Sequence, residues 1–252
     1  MDERLFLTPD WPAPRSVRAL SSLRGGGVSQ VPYESLNLGQ RVGDRPADVA
    51  ENLRLLCDDA VLPADPEWLV QVHGSVVVDL DVPGSREADA SFTRVPGRIC
   101  AIQTADCLPV LFAAADGSIV GAAHAGWRGL AAGVLEATTT ALIAAAGDTP
   151  ILAWLGPAIG AAHFEVGEEV REAFVGPDPE AEIAFIENAR GRWHCDLYTL
   201  ARRALARAGV SDIRGAEHCT YADTGRFYSY RRDGQTGRMA SLIWIDPGRD
   251  RP

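Results

Sequence analysis

Short apolar segments that follow one another along the chain constrain its fold more than any other sequence feature. Each has four or five residues, is bounded by Gly, Pro or Asp, and predicts a β-strand. The predicted strands are Trp68–Val72, Val76–Leu80, Ile99–Gln103, Pro109–Phe112, Ile119–Ala123, Ile151–Leu155 and Ser241–Ile245. Several succeed one another without a helical segment between them, which argues against a wholly parallel sheet. The sequence therefore predicts an α+β fold with mixed sheets packed under helices.

Helical periodicity marks four further segments. Val49, Leu53 and Leu56 recur at helical spacing, whereas Asp196 and Gly209 supply the start and stop signals of the last segment. The predicted helices are Pro46–Asp58, Leu130–Ala146, Val166–Phe174 and Leu197–Ala208. The sequence has no internal repeat, low-complexity tract or obvious linker, so we expect a single domain over residues 1–252.

Charge and composition narrow the function classes. The net charge of -10 gives no general attraction to phosphate backbones or anionic lipids, so neither nucleic acid nor a membrane is an expected partner. The N-terminal segment lacks a signal-peptide pattern, and the longest apolar runs are far shorter than the roughly 18 residues of a membrane span. Five cysteines in such a chain indicate free thiols. We expect a cytoplasmic protein, with monomer and homodimer both open.

Three short segments each carry one zinc-type ligand near the end of a predicted strand. His73 stands in Gln-Val-His-Gly, Cys107 in Thr-Ala-Asp-Cys, and His124 begins His-Ala-Gly-Trp-Arg-Gly. Thiolate and imidazole are preferred zinc ligands, and three protein ligands with an open fourth position are typical of a catalytic site. No close pair such as Cys-x-x-Cys is present. A buried thiol with two unrelated histidines therefore stays as the alternative.

The segment after His124 predicts a turn with exposed backbone amides. Gly126 and Gly129 separate the preceding strand from a helix that begins near Leu130, and Arg128 lies between them. Such a helix N-terminus is able to hold phosphate or carboxylate, although glycines that only permit a tight turn are the alternative.

Asp106 directly precedes Cys107. A carboxylate in this position either transfers protons as a general acid and base or orients a neighbouring ligand through a hydrogen bond. The sequence is compatible with both roles.

Nine segments in a fixed order carry a resemblance that covers nearly the full chain. They are Arg24–Ser29, Ser35–Gly39, Val42–Asp44, Gln71–Gly74, Ala88–Ala90, Thr104–Pro109, His124–Gly129, Gly156–Gly160 and Phe227–Asp233. Together they resemble the laccase-like polyphenol oxidoreductase family, which is associated with purine nucleoside phosphorylase activity and in some bacteria is named peptidoglycan editing factor. Unlike many members of the family, this chain has no cysteine near Ala162.

The resemblance implies a fold, a cofactor and a reaction. It implies a layered α/β/β/α sandwich and a zinc ion bound by His73, Cys107 and His124, with copper as the other candidate metal. It also implies phosphorolysis of adenosine, inosine and S-methyl-5′-thioadenosine, together with adenosine deamination. Purine nucleosides and phosphate are then the expected partners, and Cys107, Asp106, His73 and His124 the expected catalytic residues, with Asp106 transferring protons.

Phosphorolysis also requires a group of residues that holds phosphate. The candidates are Arg24, Asn37, Arg128, Arg231 and Arg232. The last two belong to a basic stretch that also contains Arg226 and Arg238, for which a solvated loop is the alternative.

Other functions stay open at the level of the sequence. Multicopper laccase activity is disfavoured, because the chain has five histidines and no His-x-His pair. A cysteine hydrolase, in which His73 or His124 activates Cys107 to cleave an amide of a peptidoglycan precursor, needs no metal. A partner-binding protein that retains the fold without turnover is the non-enzymatic alternative.

Overall fold

Two β-sheets packed face to face form the centre of the protein, and helices cover their outer surfaces. The computed structural model describes residues 5–248, so the first and last four residues of the predicted 1–252 domain lie outside the described residues. The strands are β1 (Phe6–Leu7), β2 (Val17–Ser22), β3 (Glu67–Trp68), β4 (Val77–Asp79), β5 (Ala90–Thr93), β6 (Ile99–Thr104), β7 (Leu108–Ala114), β8 (Val120–Ala125), β9 (Ile151–Leu155), β10 (Glu165–Val166), β11 (Phe185–Glu187), β12 (Trp193–Cys195), β13 (Asp212–Gly215) and β14 (Met239–Ile245).

The helices lie between and after these strands. They are α1 (Pro46–Ala60), α2 (Trp127–Ala131), α3 (Val134–Ala146), α4 (Glu168–Val175), α5 (Leu197–Arg207) and α6 (Tyr230–Asp233), with 3-10 turns at Ala161–His163 and Pro179–Ala184. Asp196 caps α5 as predicted, because its carboxylate accepts hydrogen bonds from the Tyr198 and Thr199 amides. Within residues 5–248, every helix is too short or too polar to cross a bilayer.

Both large sheets are mixed. The five-stranded sheet has the order β1-β2-β14-β6-β3, in which only β3 and β6 pair in parallel. The six-stranded sheet has the order β13-β9-β7-β8-β5-β4, with parallel pairs at its two edges. A small antiparallel sheet, β10-β12-β11, lies beside them. The α+β fold class is thereby confirmed.

Side chains of the central strands are buried on both faces. On β7, Leu111 points into the layer between the two sheets, whereas Phe112 points toward α3 and α5. On β6, Ile102 lies between the sheets and Ile99 packs toward Leu56 of α1. Successive residues of a strand face opposite sides, so a strand covered on both sides is apolar throughout. This burial explains the continuous apolar runs and produces the α/β/β/α layers.

Gly133 divides the predicted helix Leu130–Ala146, so that prediction was wrong. The helical region begins at Trp127, and Gly133 interrupts it with a φ of 83°, a left-handed conformation that glycine adopts without steric cost. The short helix α2 therefore follows His124 almost directly.

The predicted strand Trp68–Val72 was wrong in its length. Only Glu67–Trp68 pairs with β6, and the chain then leaves the sheet. The Val70 amide donates to the Arg86 carbonyl, and the Val72 amide donates to the Asp89 carboxylate. This departure directs the following residues to the site described below.

Candidate active site

Three side chains distant in sequence meet at one point. One donor atom from each of His73, Cys107 and His124 lies within 4.8 Å of the others. The Cys107 Sγ is 3.9 Å from the His73 Nε2. The ring centroids of His73 and His124 are 4.7 Å apart, and their ring planes meet at 72°. His73 follows the departure from β3, Cys107 precedes β7, and His124 lies on β8. The arrangement matches a three-ligand metal site with an open coordination position.

His124 is held by a carboxylate. Its ring is buried, and its Nδ1 lies 2.8 Å from the Oδ1 of Asp89. Because an ionised carboxylate only accepts hydrogen bonds, Nδ1 carries the proton and Nε2 is left as the ligand atom. Imidazole ligands of metals are commonly oriented in this way.

The same Asp89 carboxylate also orients His73. Its Oδ1 accepts from the His73 amide at 2.9 Å, and its Oδ2 accepts from the Val72 and Gly74 amides at 3.1 and 2.7 Å. Burial by itself raises the pKa of Asp89, but the hydrogen bond and charge of His124 and the hydrogen bonds from the Gly74 and His73 amides hold that pKa below its usual value. Asp89 therefore stays ionised and forms hydrogen bonds with both His73 and His124.

The Cys107 thiol has an acidic pKa. Burial raises that pKa, but the positive charge of His124 and hydrogen bonds from both imidazoles outweigh it and lower the pKa to about 6. Conversely, burial lowers the pKa of His124, and the Cys107 thiolate and Asp89 raise it to about 9. Thiolate is the form of cysteine that binds metals and acts as a nucleophile. A cation bound to this set would replace the shared proton.

Gly126 and Gly129 leave room for the close packing of the segments that carry His73 and Cys107. A Cβ at Gly126 would lie 2.9 Å from the Cys107 Sγ and 3.1 Å from the His73 Cδ2, and one at Gly129 would lie 2.9 Å from the Gly74 carbonyl oxygen. The helix that contains Gly129 has only five residues. Close packing therefore accounts for these glycines, and we assign no anion to this helix terminus.

Replacement of Gly126 by alanine is expected to weaken metal binding at least about tenfold, because the added methyl group displaces the Cys107 and His73 side chains. Competition with a chromophoric chelator measures this affinity. Gly84→Ala is the matched control, since a Cβ at Gly84 meets no atom within 4 Å. Unchanged metal affinity in Gly126→Ala would contradict this prediction, because it would show that Cys107 and His73 still bind the metal beside the added methyl group.

The donor residues form part of the wall of a cleft of about 560 Å³. Trp68 and Tyr230 lie on its apolar sides, and the cleft is also lined by Gln71, Gln103 and Arg238. The Gln71 side chain is fixed, because it donates to the Gln103 carbonyl and accepts from the Gln103 amide. Cavities that bind small molecules have this size and mixture of apolar walls with few polar groups.

Asp106 is adjacent to the donor set, but its carboxylate is engaged elsewhere. One oxygen accepts from the Thr220 hydroxyl at 2.6 Å and the other from the Arg231 amide at 2.7 Å. Asn37 is fully buried, and its side-chain oxygen accepts from the Gly39 and Arg238 amides. Neither side chain lines the cleft.

The four arginines selected from the sequence also lie outside the cleft lining. Arg24 donates to the carbonyls of Glu34 and Thr224. Arg128 packs over the Trp127 ring. The guanidinium of Arg231 donates to the Glu165 carbonyl. Arg232 donates to three backbone carbonyls and to the Asp233 carboxylate.

Two residues of this site were not predicted from the sequence. Asp89 was noted only within Ala88–Ala90, and Arg238 only as one member of a basic stretch. A single acidic residue between small apolar residues, just before a buried strand, is the available signal for Asp89. No local signal distinguishes Arg238 from its neighbours, because its position depends on contacts with distant segments.

A family model described as multi-copper polyphenol oxidoreductase laccase matches residues 18–246. The chain belongs to this family. It is 55% identical over 241 residues to a Pseudomonas aeruginosa protein named purine nucleoside phosphorylase, covering 95% of this chain and 98% of that protein. It is 53% identical over 244 residues to the Escherichia coli protein named purine nucleoside phosphorylase YfiH, with the same coverage. The resemblance found in the sequence is confirmed.

Solved structures of similar proteins have the same fold. A Neisseria meningitidis protein superposes with a TM-score of 0.88 at 50% identity, covering 96% of this chain and 100% of that chain. YlmD of Geobacillus stearothermophilus superposes with a TM-score of 0.87 at 30% identity, covering 96% and 99%. Although the family description names several coppers, within residues 5–248 the His73, Cys107 and His124 group is the one cluster of three metal-ligand side chains.

Proposed function

We propose that this protein is a zinc-dependent purine nucleoside phosphorylase acting on adenosine, inosine and S-methyl-5′-thioadenosine, and that it also deaminates adenosine. The observation that carries the proposal is the His73, Cys107 and His124 set in the wall of a cleft. Relatives of 55% and 53% identity are named purine nucleoside phosphorylases. The donor set suits zinc, which prefers thiolate and imidazole ligands.

The proposed reactions define what the cleft must hold. In phosphorolysis a phosphate oxygen forms a bond to C1′ of the ribose, the C1′–N9 bond breaks, and the purine leaves with the electron pair and gains a proton. The products are the free base and ribose 1-phosphate, or 5-methylthioribose 1-phosphate when the substrate is S-methyl-5′-thioadenosine. In deamination water replaces the 6-amino group, which leaves as ammonia. The cleft of about 560 Å³ falls within the range of roughly 300–1,000 Å³ that is typical for small ligands.

We assign the residues of the cleft by the contacts they make. His73, Cys107 and His124 would hold the zinc, which when bound supplies Lewis acidity at its open position. The apolar sides of Trp68 and Tyr230 would exclude water from the purine. Asp89 keeps the proton of His124 on Nδ1 and so keeps Nε2 free.

We assign Asp106 a positioning role. Its two oxygens tie Thr220 and the Arg231 backbone to the segment that carries Cys107. A carboxylate whose oxygens both accept hydrogen bonds within the protein, and which does not line the cleft, is poorly placed to transfer a proton to a nucleoside. In this proposal a group other than Asp106 transfers the proton.

A cysteine hydrolase acting on a peptidoglycan precursor is the second candidate. The observation that favours it is the Cys107 pKa of about 6 beside two imidazoles, an arrangement typical of nucleophilic cysteines. Polyphenol oxidation with copper is the third, and is favoured only by the family description.

The test uses protein purified without added metal. Mass spectrometry measures zinc and copper, and chromatography follows the loss of each nucleoside with and without phosphate. We expect about one zinc per chain, phosphate-dependent release of free base, and loss of both activities after chelation with recovery on adding zinc. Metal-free protein that cleaves amides and is inactivated by alkylation of Cys107 would contradict the proposal and favour the hydrolase. Copper with phenol oxidation would favour the third candidate.

A further inference from the structure

Arg238 lines the cleft as a half-buried cation without a carboxylate partner among residues 5–248. Its Nη1 donates to the carbonyls of Thr236 and Gly237, both at 2.9 Å. Its Nε and Nη2 have no hydrogen-bond acceptor within the part of the chain that the structure describes. Two adjacent donors of a guanidinium match two oxygens of a phosphate or carboxylate.

Packing fixes the position of this side chain. The Tyr230 ring lies 5.9 Å from the Arg238 guanidinium carbon, and the Arg238 amide donates to the buried Asn37 side chain. A Cβ at Gly39 would lie 2.8 Å from the Arg238 Cγ, so glycine at that position leaves room for the arginine. A guanidinium held in this way loses little conformational freedom when it binds an anion.

The negative charges that act on Arg238 leave it available to a ligand. Burial lowers the pKa of Arg238, and the charges of Cys107 and Asp106 oppose that decrease. Cys107 is a proposed metal ligand, and Asp106 accepts hydrogen bonds from Thr220 and Arg231. In a chain of net charge -10, a cationic side chain in the cleft favours the entry of an anion.

We propose that Arg238 binds the inorganic phosphate that attacks the nucleoside, through its Nε and Nη2. This inference rests on the proposed phosphorylase function and replaces the phosphate-binding residues expected from the sequence. Those arginines donate to backbone carbonyls or pack on the protein surface, whereas Arg238 faces the same cavity as His73 and Cys107. Asn37 acts here as a positioning residue, because it holds the Arg238 backbone.

The test compares Arg238→Gln, Arg238→Lys and the control Arg214→Gln in zinc-loaded protein. Arg214 is exposed and pairs with Asp212 at the far edge of the six-stranded sheet. We expect Arg238→Gln to raise the phosphate KM at least about tenfold, with Arg238→Lys intermediate because it keeps the charge but not the two parallel donors. Zinc content should stay within about twofold of wild type in all three variants, and the phosphate KM and the deamination of adenosine should stay within about twofold in Arg214→Gln.

A second measurement separates this inference from the proposed function. Calorimetric titration of phosphate into zinc-loaded protein reports binding without turnover. If the wild type binds phosphate but converts no nucleoside, and Arg238→Gln loses phosphate binding, the phosphate site is supported and the phosphorylase function is rejected. Phosphorolysis with an unchanged phosphate KM in Arg238→Gln would retain the phosphorylase and overturn the assignment. Absence of phosphate binding to the wild type would also overturn it.

Discussion

Replacement of Cys107 by alanine is expected to lower the kcat/KM of phosphorolysis at least about a thousandfold, or by about 4 kcal/mol of transition-state stabilisation, and to remove the bound metal. Cys107 supplies the only sulfur ligand of the His73, Cys107 and His124 set, and its thiol has a lowered pKa of about 6. Two imidazoles without the thiolate bind zinc much more weakly. Turnover of inosine and metal content by mass spectrometry measure the two effects.

Cys57→Ala is the matched control for this loss. Cys57 lies on α1, outside the cleft lining, and is also a free thiol. Its replacement should leave turnover and metal content within about twofold of wild type. A Cys107→Ala protein that keeps its zinc and its phosphorolysis would show that the reaction does not depend on this set.

Replacement of Asp89 by asparagine is expected to lower the free energy of unfolding by about 3–5 kcal/mol and the metal affinity by about 10–100-fold. The Asp89 side chain accepts four hydrogen bonds, three of them from the consecutive amides of Val72, His73 and Gly74. The side-chain nitrogen of asparagine donates hydrogen bonds and does not accept them, so two of these four part-buried or buried donor groups lose their acceptor. Urea unfolding and chelator competition measure the two effects.

The Asp89 effect also has an expected pH dependence. The folded-state pKa of Asp89 is depressed, so its stabilisation is fully present above the unfolded value of about 3.9 and is lost as the pH falls through the folded value. The difference in stability between wild type and Asp89→Asn should therefore decrease in acid, as the pH falls below about 3.9. Asp116→Asn is the control, because Asp116 lies in an exposed turn and accepts from the Ser118 amide. A loss of equal size in the control would contradict the role of Asp89.

The strands that are covered on both faces were the easiest part of the fold to predict. Ile151–Leu155 has the predicted bounds, and the predicted strands over β6, β7, β8 and β14 differ from the observed ones by a few residues at their ends. The other strands were not predicted, because their pairing depends on neighbours that the local pattern does not reveal; they are β1, β2, β5, β10, β11, β12 and β13. The division at Gly133 was missed for a similar reason, since an isolated glycine is also tolerated inside a helix.

The sequence by itself determined which segments form buried strands and which side chains are available to the site, namely the Cys107 thiol and the His73 and His124 imidazoles. That these residues hold a metal stays a prediction. Tertiary structure alone decided that the three meet within 4.8 Å, that Asp89 joins two of them, and that Arg238 faces the cleft. Residue type depends on the chain alone, but hydrogen-bond partners and burial depend on segments that only folding brings together.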